Sequence, residues 1–318
     1  MKRVELGNTG IQVSIAGFGV LPIGPSQLAL PVDEGAKIIK YALNHGFNFL
    51  DTAQYYRTYP YIRKAMETED FEDVVICSKS LCWDYEGMMD AIEEAREELD
   101  RLVIDIFLMH EVRSGQLEER EGAWQALVDA KEKGLVRAIG LSTHHIDITT
   151  AAAQMPELDV VFPLINYASM GIRKGDDFGT KEEMLEAIKA CKAAGKGVFS
   201  MKVFGGGGLT GHYQEALDYI YGIDEIDSVM IGFGKTEEID DLLSYLDGSM
   251  KKDYNPDVSS KKIYVNQEDC EGCGSCKEAC PAGAIFWNEY GLAEVNHDLC
   301  LTCGYCAPAC PVRAVIMY

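Results

Sequence analysis

Eight of the 11 cysteines fall in two runs that share one spacing. The first is Cys270-x2-Cys273-x2-Cys276-x3-Cys280 followed by Pro281, and the second is Cys300-x2-Cys303-x2-Cys306-x3-Cys310 followed by Pro311. Three thiolates on one tight loop reach three corners of an iron–sulfur cube. The fourth, just before a proline, lies too far along the chain and ligates the other cube. The spacing therefore predicts Cys270, Cys273, Cys276 and Cys310 around one cluster, and Cys300, Cys303, Cys306 and Cys280 around a second. A single CxxC would leave zinc open, and disulfide frameworks belong to small secreted chains. The repeated four-cysteine run points instead to two [4Fe–4S] clusters, and so to the handling of single electrons.

From Lys261 to Tyr318 the chain resembles the bacterial two-cluster ferredoxins over its whole length. The resemblance includes Gly274 and Gly304 in the loops and an Ala-Ile or Ala-Val pair beyond each proline. It implies a small α+β ferredoxin-like domain over residues 261–318. A unit this small has little core of its own, so cluster binding is expected to supply much of its stability.

The first 250 residues alternate strand and helix signals. Short apolar runs end at Val20, Asp51, Ser78, His110, Ser142, Asn166, Lys202 and Ile231. Helical patterns follow near Asp33–Asn44, Tyr59–Glu67, Gly87–Leu102, Arg120–Lys133, Asp147–Ala153, Lys181–Ala194, Tyr213–Tyr221 and Thr236–Tyr245. In the third of these, Met88, Ile92, Ala95, Leu99 and Leu102 form an apolar stripe, with Glu93, Glu94, Glu97 and Glu98 on the other side. This alternation is the pattern of an α/β (β/α)8 TIM barrel over residues 1–250, and a doubly wound open sheet is the competitor. No G-x-G-x-x-G follows the first strand, where a dinucleotide-binding open sheet would carry it, which favours the barrel. A linker near Gly248–Ser260 is long enough to climb from the bottom of a barrel to its top, so the clusters could cap the site or lie far from it.

Chemistry in such barrels sits at the C-terminal strand ends. Reading those ends gives Asp51, Lys79 and His110 after the second, third and fourth strands, with Tyr56 one short loop beyond Asp51. Across Met1 to about Asp247 the chain resembles the aldo-keto reductase family, through LGNTGIQVS, NFLDTAQYY, ICSK, DIFLMH, IGLSTH, GGGGLTG and IGFGKTEEID. The resemblance implies a catalytic tetrad of Asp51, Tyr56, Lys79 and His110. The residue types suit the work. A phenol titrates near ~10 in water and is a poor acid unless its anion is stabilised. The Lys79 ammonium is expected to lower that value, Asp51 to hold the lysine, and His110 to orient a bound carbonyl.

The resemblance also implies NAD(P)H. Ser142 and Thr143 match the pair that contacts the nicotinamide amide. Gly205 and Gly206 begin a run whose amides could approach a pyrophosphate. Gly234, Lys235 and Thr236 match the stretch near the adenosine phosphate, and Asn166 and Lys202 at two strand ends complete the set. Three departures stand out. Met201-Lys202 replaces the usual stacking aromatic, Phe162 stands where glutamine is usual, and Glu237, Glu238, Asp240 and Asp241 offer no base for a 2′-phosphate. Flavin stays open, because barrels also bind it near the seventh and eighth strands.

Of the remaining cysteines, Cys191 shares an apolar stripe with Met184 and Ile188 and reads as core. Cys77 reads as barrel interior, and Cys82 as a loop residue near the pocket. His144 and His145 lack a third ligand at suitable spacing and read as loop or helix-start residues. The net charge of −22 disfavours nucleic acid and anionic membrane as partners and would steer a basic redox partner, such as an external ferredoxin. No secretory h-region or spanning run is evident, which implies a cytoplasmic chain. The reading is an iron–sulfur oxidoreductase acting on a small-molecule carbonyl or activated double bond, with Tyr56 as proton donor and electrons from NAD(P)H, the clusters, or both. The alternatives are a ferredoxin-fed reductase without nicotinamide, and an electron-transfer subunit with a non-catalytic barrel.

Overall fold

The opening hairpin pairs β1 (Arg3–Glu5) with β2 (Gln12–Ser14) antiparallel. The turn between them presses against the start of a later strand: a Cβ on Gly7, whose φ is +55°, would lie 2.2 Å from the Gly197 amide. Leu6, Ile11 and Val13 are buried with Phe49, Val75, Cys77, Ile106, Leu108, Ala138, Val160, Phe162 and Phe199. That cluster fills the interior of the barrel, and the hairpin plugs its floor.

The computed structural model describes residues 1–67, 71, 73–175, 177–257, 262–280, 282–300, 304–312 and 314–317. Lys261, Pro281, Cys303 and Tyr318 lie outside the described residues. The chain continues through β3 (Ala16–Gly19), α1 (Val32–Asn44), β4 (Phe49–Asp51), α2 (Tyr59–Met66), β5 (Val75–Ser80) and α3 (Tyr85–Glu98). Next come β6 (Ile104–Met109), a short α4 (Gln116–Glu119), α5 (Glu121–Glu132), β7 (Val136–Thr143), α6 (Ile146–Ala152) and β8 (Val160–Pro163). An unforeseen small hairpin follows, β9 (Arg173–Lys174) and β10 (Asp177–Phe178), then α7 (Lys181–Ala193), β11 (Gly197–Ser200), α8 (Tyr213–Tyr221), β12 (Ser228–Gly232) and α9 (Thr236–Leu246). Strands β3 to β8, β11 and β12 are parallel and close into a barrel in chain order. The (β/α)8 expectation holds, and the open sheet is set aside.

Helices form where apolar stripes can cover the outer faces of the strands. On α3, Met88, Ile92, Ala95 and Leu99 are buried as expected, but Leu102 is 85% exposed. The helix stops at Glu98, and Asp100 takes a left-handed φ of +55°, so Leu102 leaves the stripe. Cys191 is buried, with its thiol donating to the Thr149 carbonyl at 3.1 Å, in keeping with a core role.

After α9 the chain runs back up the outside of the barrel. Tyr254 donates to Asp241 at 2.6 Å and Asn255 accepts from the Tyr213 amide at 3.2 Å. Beyond it, β13 (Ile263–Val265), α10 (Ser275–Glu278) and β14 (Ile285–Trp287) form one half of a small unit. The strand β15 (Ala293–Val295), α11 (Cys306–Ala309) and β16 (Val315–Met317) form the other. The pairing crosses between the halves, β13 with β16 and β14 with β15. The linker therefore does climb: the unit rests on the C-terminal face of the barrel, where a Cβ on Gly207 would lie 2.5 Å from the Met317 carbonyl. Among the described residues no helix is long and apolar enough to cross a membrane.

Candidate active site and cluster centres

The barrel brings the four predicted residues to one place. Lys79, near the end of β5, is 1% exposed and donates from Nζ to Asp51 Oδ1 at 2.7 Å and to the Thr52 carbonyl at 2.6 Å. Asp51 is the last residue of β4, next to β5, so strand register alone sets the pair. Tyr56 lies in a 3-10 turn just beyond, and its hydroxyl is 3.3 Å from His110 Nε2. The two rings meet edge to face at 5.4 Å. Lys79 Nζ sits over the face of the Tyr56 ring, 4.8 Å from its centre.

The electrostatics correct one expectation. The Tyr56 phenol is pushed well above its usual value, first by burial and then by the charges of Asp51, Glu111 and Asp269. The expected lowering by Lys79 does not win. Its ammonium is held by Asp51 and a backbone carbonyl, and it faces the tyrosine ring. Tyr56 is therefore fully protonated at neutral pH and can only give a proton. Burial raises the Asp51 carboxyl while Lys79 pulls it back down. His110 is held well below its ordinary value by burial and by Lys79, Arg120 and Lys202, so it is neutral.

That last shift has a stability consequence. Above pH 6.5 the imidazole is neutral in both folded and unfolded chain and contributes no pH dependence. Below it the unfolded chain binds a proton that the native site refuses, so stability falls by up to about 1.4 kcal/mol per pH unit. Denaturant titrations at pH 7 and 5.5 should show a smaller loss for His110→Gln than for the wild-type chain. Equal losses would mean that His110 titrates normally in the folded protein.

A cavity of about 720 Å³ opens from Asp51 and Tyr56 along the rim of the barrel. It is lined by Phe162, Met201, Lys202, Phe204, Gly206, Gly234, Lys235 and Glu238, and closed on the far side by Tyr264, Ile316 and Met317 of the C-terminal unit. Of the predicted cofactor residues, Lys202, Gly206, Gly234 and Lys235 line it, whereas Ser142, Thr143, Asn166, Gly205 and Thr236 are not among its lining. Ser142 and Thr143 are buried and committed to backbone: Ser142 Oγ accepts from the Glu111 amide at 2.9 Å, and Thr143 Oγ1 donates to the Val112 carbonyl at 2.6 Å. They brace the segment that carries His110. Asn166 likewise donates to the Met170 carbonyl at 2.9 Å. Phe162 and Met201, which take part in two of the three departures from the family pattern, give the cavity apolar lining.

Sequence reasoning missed the contact between the two units. Tyr55 donates to Asp269 Oδ1 at 3.4 Å and accepts from Asn266 Nδ2 at 3.3 Å. Arg113 pairs with Glu271 at 3.5 Å. These bonds set the Cys270 loop beside the tetrad. The Tyr55-Tyr56 doublet was the available signal, but nothing in it names a partner. Glu111 and Lys202, at φ +48° and +63°, are non-glycine residues in the left-handed region just beyond β6 and β11, where strain is held only by surrounding structure. Cys82 packs with its sulfur 3.1 Å from Ser80 Oγ, and His145 caps α6, as expected of a helix-start residue.

Among the described residues no three or more cysteine, histidine or carboxylate side chains close into a metal-sized group, although cysteines of the two runs lie near one another. After burial, the neighbours that raise the Cys276 thiol are Cys310, Cys270 and Cys273. For Cys306 they are Cys280, Cys276 and Cys300, so the two runs face each other. Cys303 lies outside the described residues. Backbone amides already point at two sulfurs, Ala284 N–H at Cys280 Sγ (3.3 Å) and Ala293 N–H at Cys270 Sγ (3.4 Å). Such bonds tune cluster potential. Soft cysteine sulfurs from both runs, with amide donors beside two of them, suit iron–sulfur chemistry better than a hard cation.

Comparison with known proteins agrees with both halves. The family described as "Aldo/keto reductase family" matches residues 17–228, and the "4Fe-4S dicluster domain" matches residues 269–314. The chain is 26% identical to L-galactose dehydrogenase of Arabidopsis thaliana over 227 residues, 66% of this chain and 68% of that one. It is 32% identical to 2,5-diketo-D-gluconic acid reductase B of a Corynebacterium species over 145 residues, 41% of this chain and 52% of that one. The chain therefore spans about half to two thirds of these curated relatives. The fold is shared with a Bombyx mori aldo-keto reductase solved in complex with NADP, at a TM-score of 0.56 and 16% identity, over 75% of this chain and 85% of that one. The chain belongs to the aldo/keto reductase family of oxidoreductases, and it joins that family's barrel to a 4Fe–4S dicluster domain.

Proposed function

We propose that the barrel, taken as residues 1–250, reduces the carbonyl of a small polar substrate, with Tyr56 as proton donor and the dicluster domain, residues 261–318, as its electron-carrying cap. The observation that carries this reading is the Tyr56 hydroxyl, 3.3 Å from a neutral His110 and beside the buried Lys79–Asp51 pair, at the inner end of the cavity. A bound nicotinamide would supply the hydride, whose two electrons with one proton complete the reduction, and the clusters would carry single electrons between the barrel and an external redox partner outside that step. The residues of the chain do the rest. His110 Nε2 and the Tyr56 hydroxyl converge on the place where a carbonyl oxygen would sit. Tyr56 gives that oxygen its proton, and Lys79 stabilises the phenolate left behind. The relatives, a sugar dehydrogenase and a dicarbonyl reductase by name, support a hydroxylated or dicarbonyl substrate.

The far end of the cavity supports a nucleotide without a 2′-phosphate. Glu237 and Glu238 occupy the first turn of α9, and Glu238 Oε2 accepts from the Gly234 amide at 2.7 Å. A helix start that would welcome a phosphate is thus already faced with carboxylate, and Asp241 and Asp257 add to it. NADH is expected to be used with a kcat/KM at least about tenfold above that of NADPH, which is about 1.4 kcal/mol of discrimination. Glu238→Arg should narrow or reverse that ratio. The test is anaerobic loss of NADH absorbance against a panel of aldoses, ketoses and α-dicarbonyls. No turnover of any of them with either nucleotide would sink the reading, and an unchanged ratio in Glu238→Arg would sink the selectivity.

A further inference from the structure

Arg120 is the largest wholly buried side chain, at 1% exposure. It sits at the junction of α4 and α5, and sequence alone gives it no role. Its guanidinium donates to the His110 carbonyl at 2.9 Å, the Ser80 carbonyl at 3.2 Å and the Cys82 carbonyl at 3.1 and 3.2 Å. All three acceptors are backbone, and no carboxylate shares in these bonds. Glu111 acts on it only through space, and the Trp83 ring centre lies 5.7 Å away. The buried cation thus has no direct ion pair among the described residues, which is costly and needs a return. The acceptors show what it is. Ser80 follows Lys79 at the end of β5, and its carbonyl also takes the His110 amide at 2.9 Å. One planar fork therefore ties together the ends of the two strands that carry half of the tetrad.

We propose that Arg120 is a positioning residue, whose hold on the Ser80, Cys82 and His110 carbonyls keeps Lys79 and His110 in register around the Tyr56 hydroxyl. This rests on the tetrad acting as proposed above. The placement has an electrostatic side as well. The charged and titratable groups facing His110 are Tyr56 from the turn after β4, Lys79 from β5, Arg120 from the start of α5 and Lys202 from the rim after β11. Glu111, its chain neighbour, is turned to Arg113 at 3.3 Å. Burial first, and then these three cations, keep the imidazole neutral, free to serve as a one-proton donor to a substrate oxygen. Burial in turn brings Arg120 down to about 10, which leaves it charged at neutral pH. A lysine would supply the charge without the fork.

The experiment uses the full chain with its clusters, purified anaerobically. Arg120→Gln should lower kcat for NADH-dependent carbonyl reduction on the order of 100-fold, the scale of a small misplacement of catalytic groups. KM should move little. The His110 midpoint, read by NMR of 13C-labelled histidine with His110→Asn for assignment, should rise in Arg120→Gln and stay in place in Arg120→Lys, a charge-dependent split that lost packing would not produce. In Arg120→Ala, guanidinium chloride should restore turnover, and methylammonium should not. Arg120→Lys, which keeps charge and most of the volume, covers the case in which the other variants fail to fold; it should keep the His110 midpoint and still lose kcat. Full activity in Arg120→Lys, or an unmoved midpoint and unchanged kcat in Arg120→Gln, overturns the proposal. If Tyr56→Phe also stays active, it is the tetrad reading that fails, and the NMR midpoint still reports on Arg120 without turnover.

Discussion

Replacing Tyr56 with phenylalanine is expected to abolish nearly all carbonyl turnover, between about 10² and 10⁴-fold, the range of a lost general acid. The substitution keeps the ring, its edge contact with His110 and its place over Lys79, and removes only the oxygen that carries the proton. Among the described residues the polar contact given up is the 3.3 Å bond to His110 Nε2, so stability and cluster content should be almost untouched. The comparison to make is kcat at saturating substrate against the visible iron–sulfur absorbance of the same preparation. Turnover that survives with intact clusters would mean the proton comes from elsewhere. Turnover lost together with the clusters would mean that the variant had disturbed the docking of the cap through its neighbour Tyr55.

The second large effect concerns the crossed ligands. Cys310→Ser should remove the cluster of the first run, although Cys310 belongs to the second, and Cys280→Ser should do the converse. Each single variant is then expected to hold about four irons where the wild-type chain holds about eight. Double variants separate the crossed arrangement from the simple one. Cys273→Ser added to Cys310→Ser should cost no further iron, because both belong to one site. Cys300→Ser added to Cys310→Ser should empty both. The reverse outcome would assign each run to its own cluster, against the influence of Cys310 on the Cys276 thiol. The small unit should unfold more readily in every such variant. Its buried core is Ile263, Ile285, Val315 and a few alanines besides the cysteines themselves. The barrel has its own core and should persist.

The sequence by itself determined the eight-strand alternation, the meeting of Asp51, Tyr56, Lys79 and His110 and the presence of a dicluster domain, because each rests on a short-range pattern. Apolar runs of strand length, stripes at helical period and cysteines at fixed spacing are read within a window of a dozen residues. The helix boundaries near Tyr59, Tyr213 and Thr236 agree with the structure for the same reason. Where a local pattern had a competing local signal it misled: the stripe on α3 continued on paper to Leu102, but the left-handed turn at Asp100 ended it.

What only the tertiary structure decided depends on groups far apart in the chain. The lowering of the Tyr56 phenol expected from Lys79 failed because burial and three carboxylates outweigh one lysine already paired with Asp51. Ser142 and Thr143 match a cofactor pattern, yet their hydroxyls bind the backbone beside His110. The cap on the cavity, through Tyr55, Asn266 and Asp269, joins residues more than two hundred positions apart. Arg120 carries no motif at all, and its meaning lies in three carbonyls that only the closed barrel brings together. Desolvation and long-range hydrogen bonding depend on the whole packed molecule, and no window of sequence contains them.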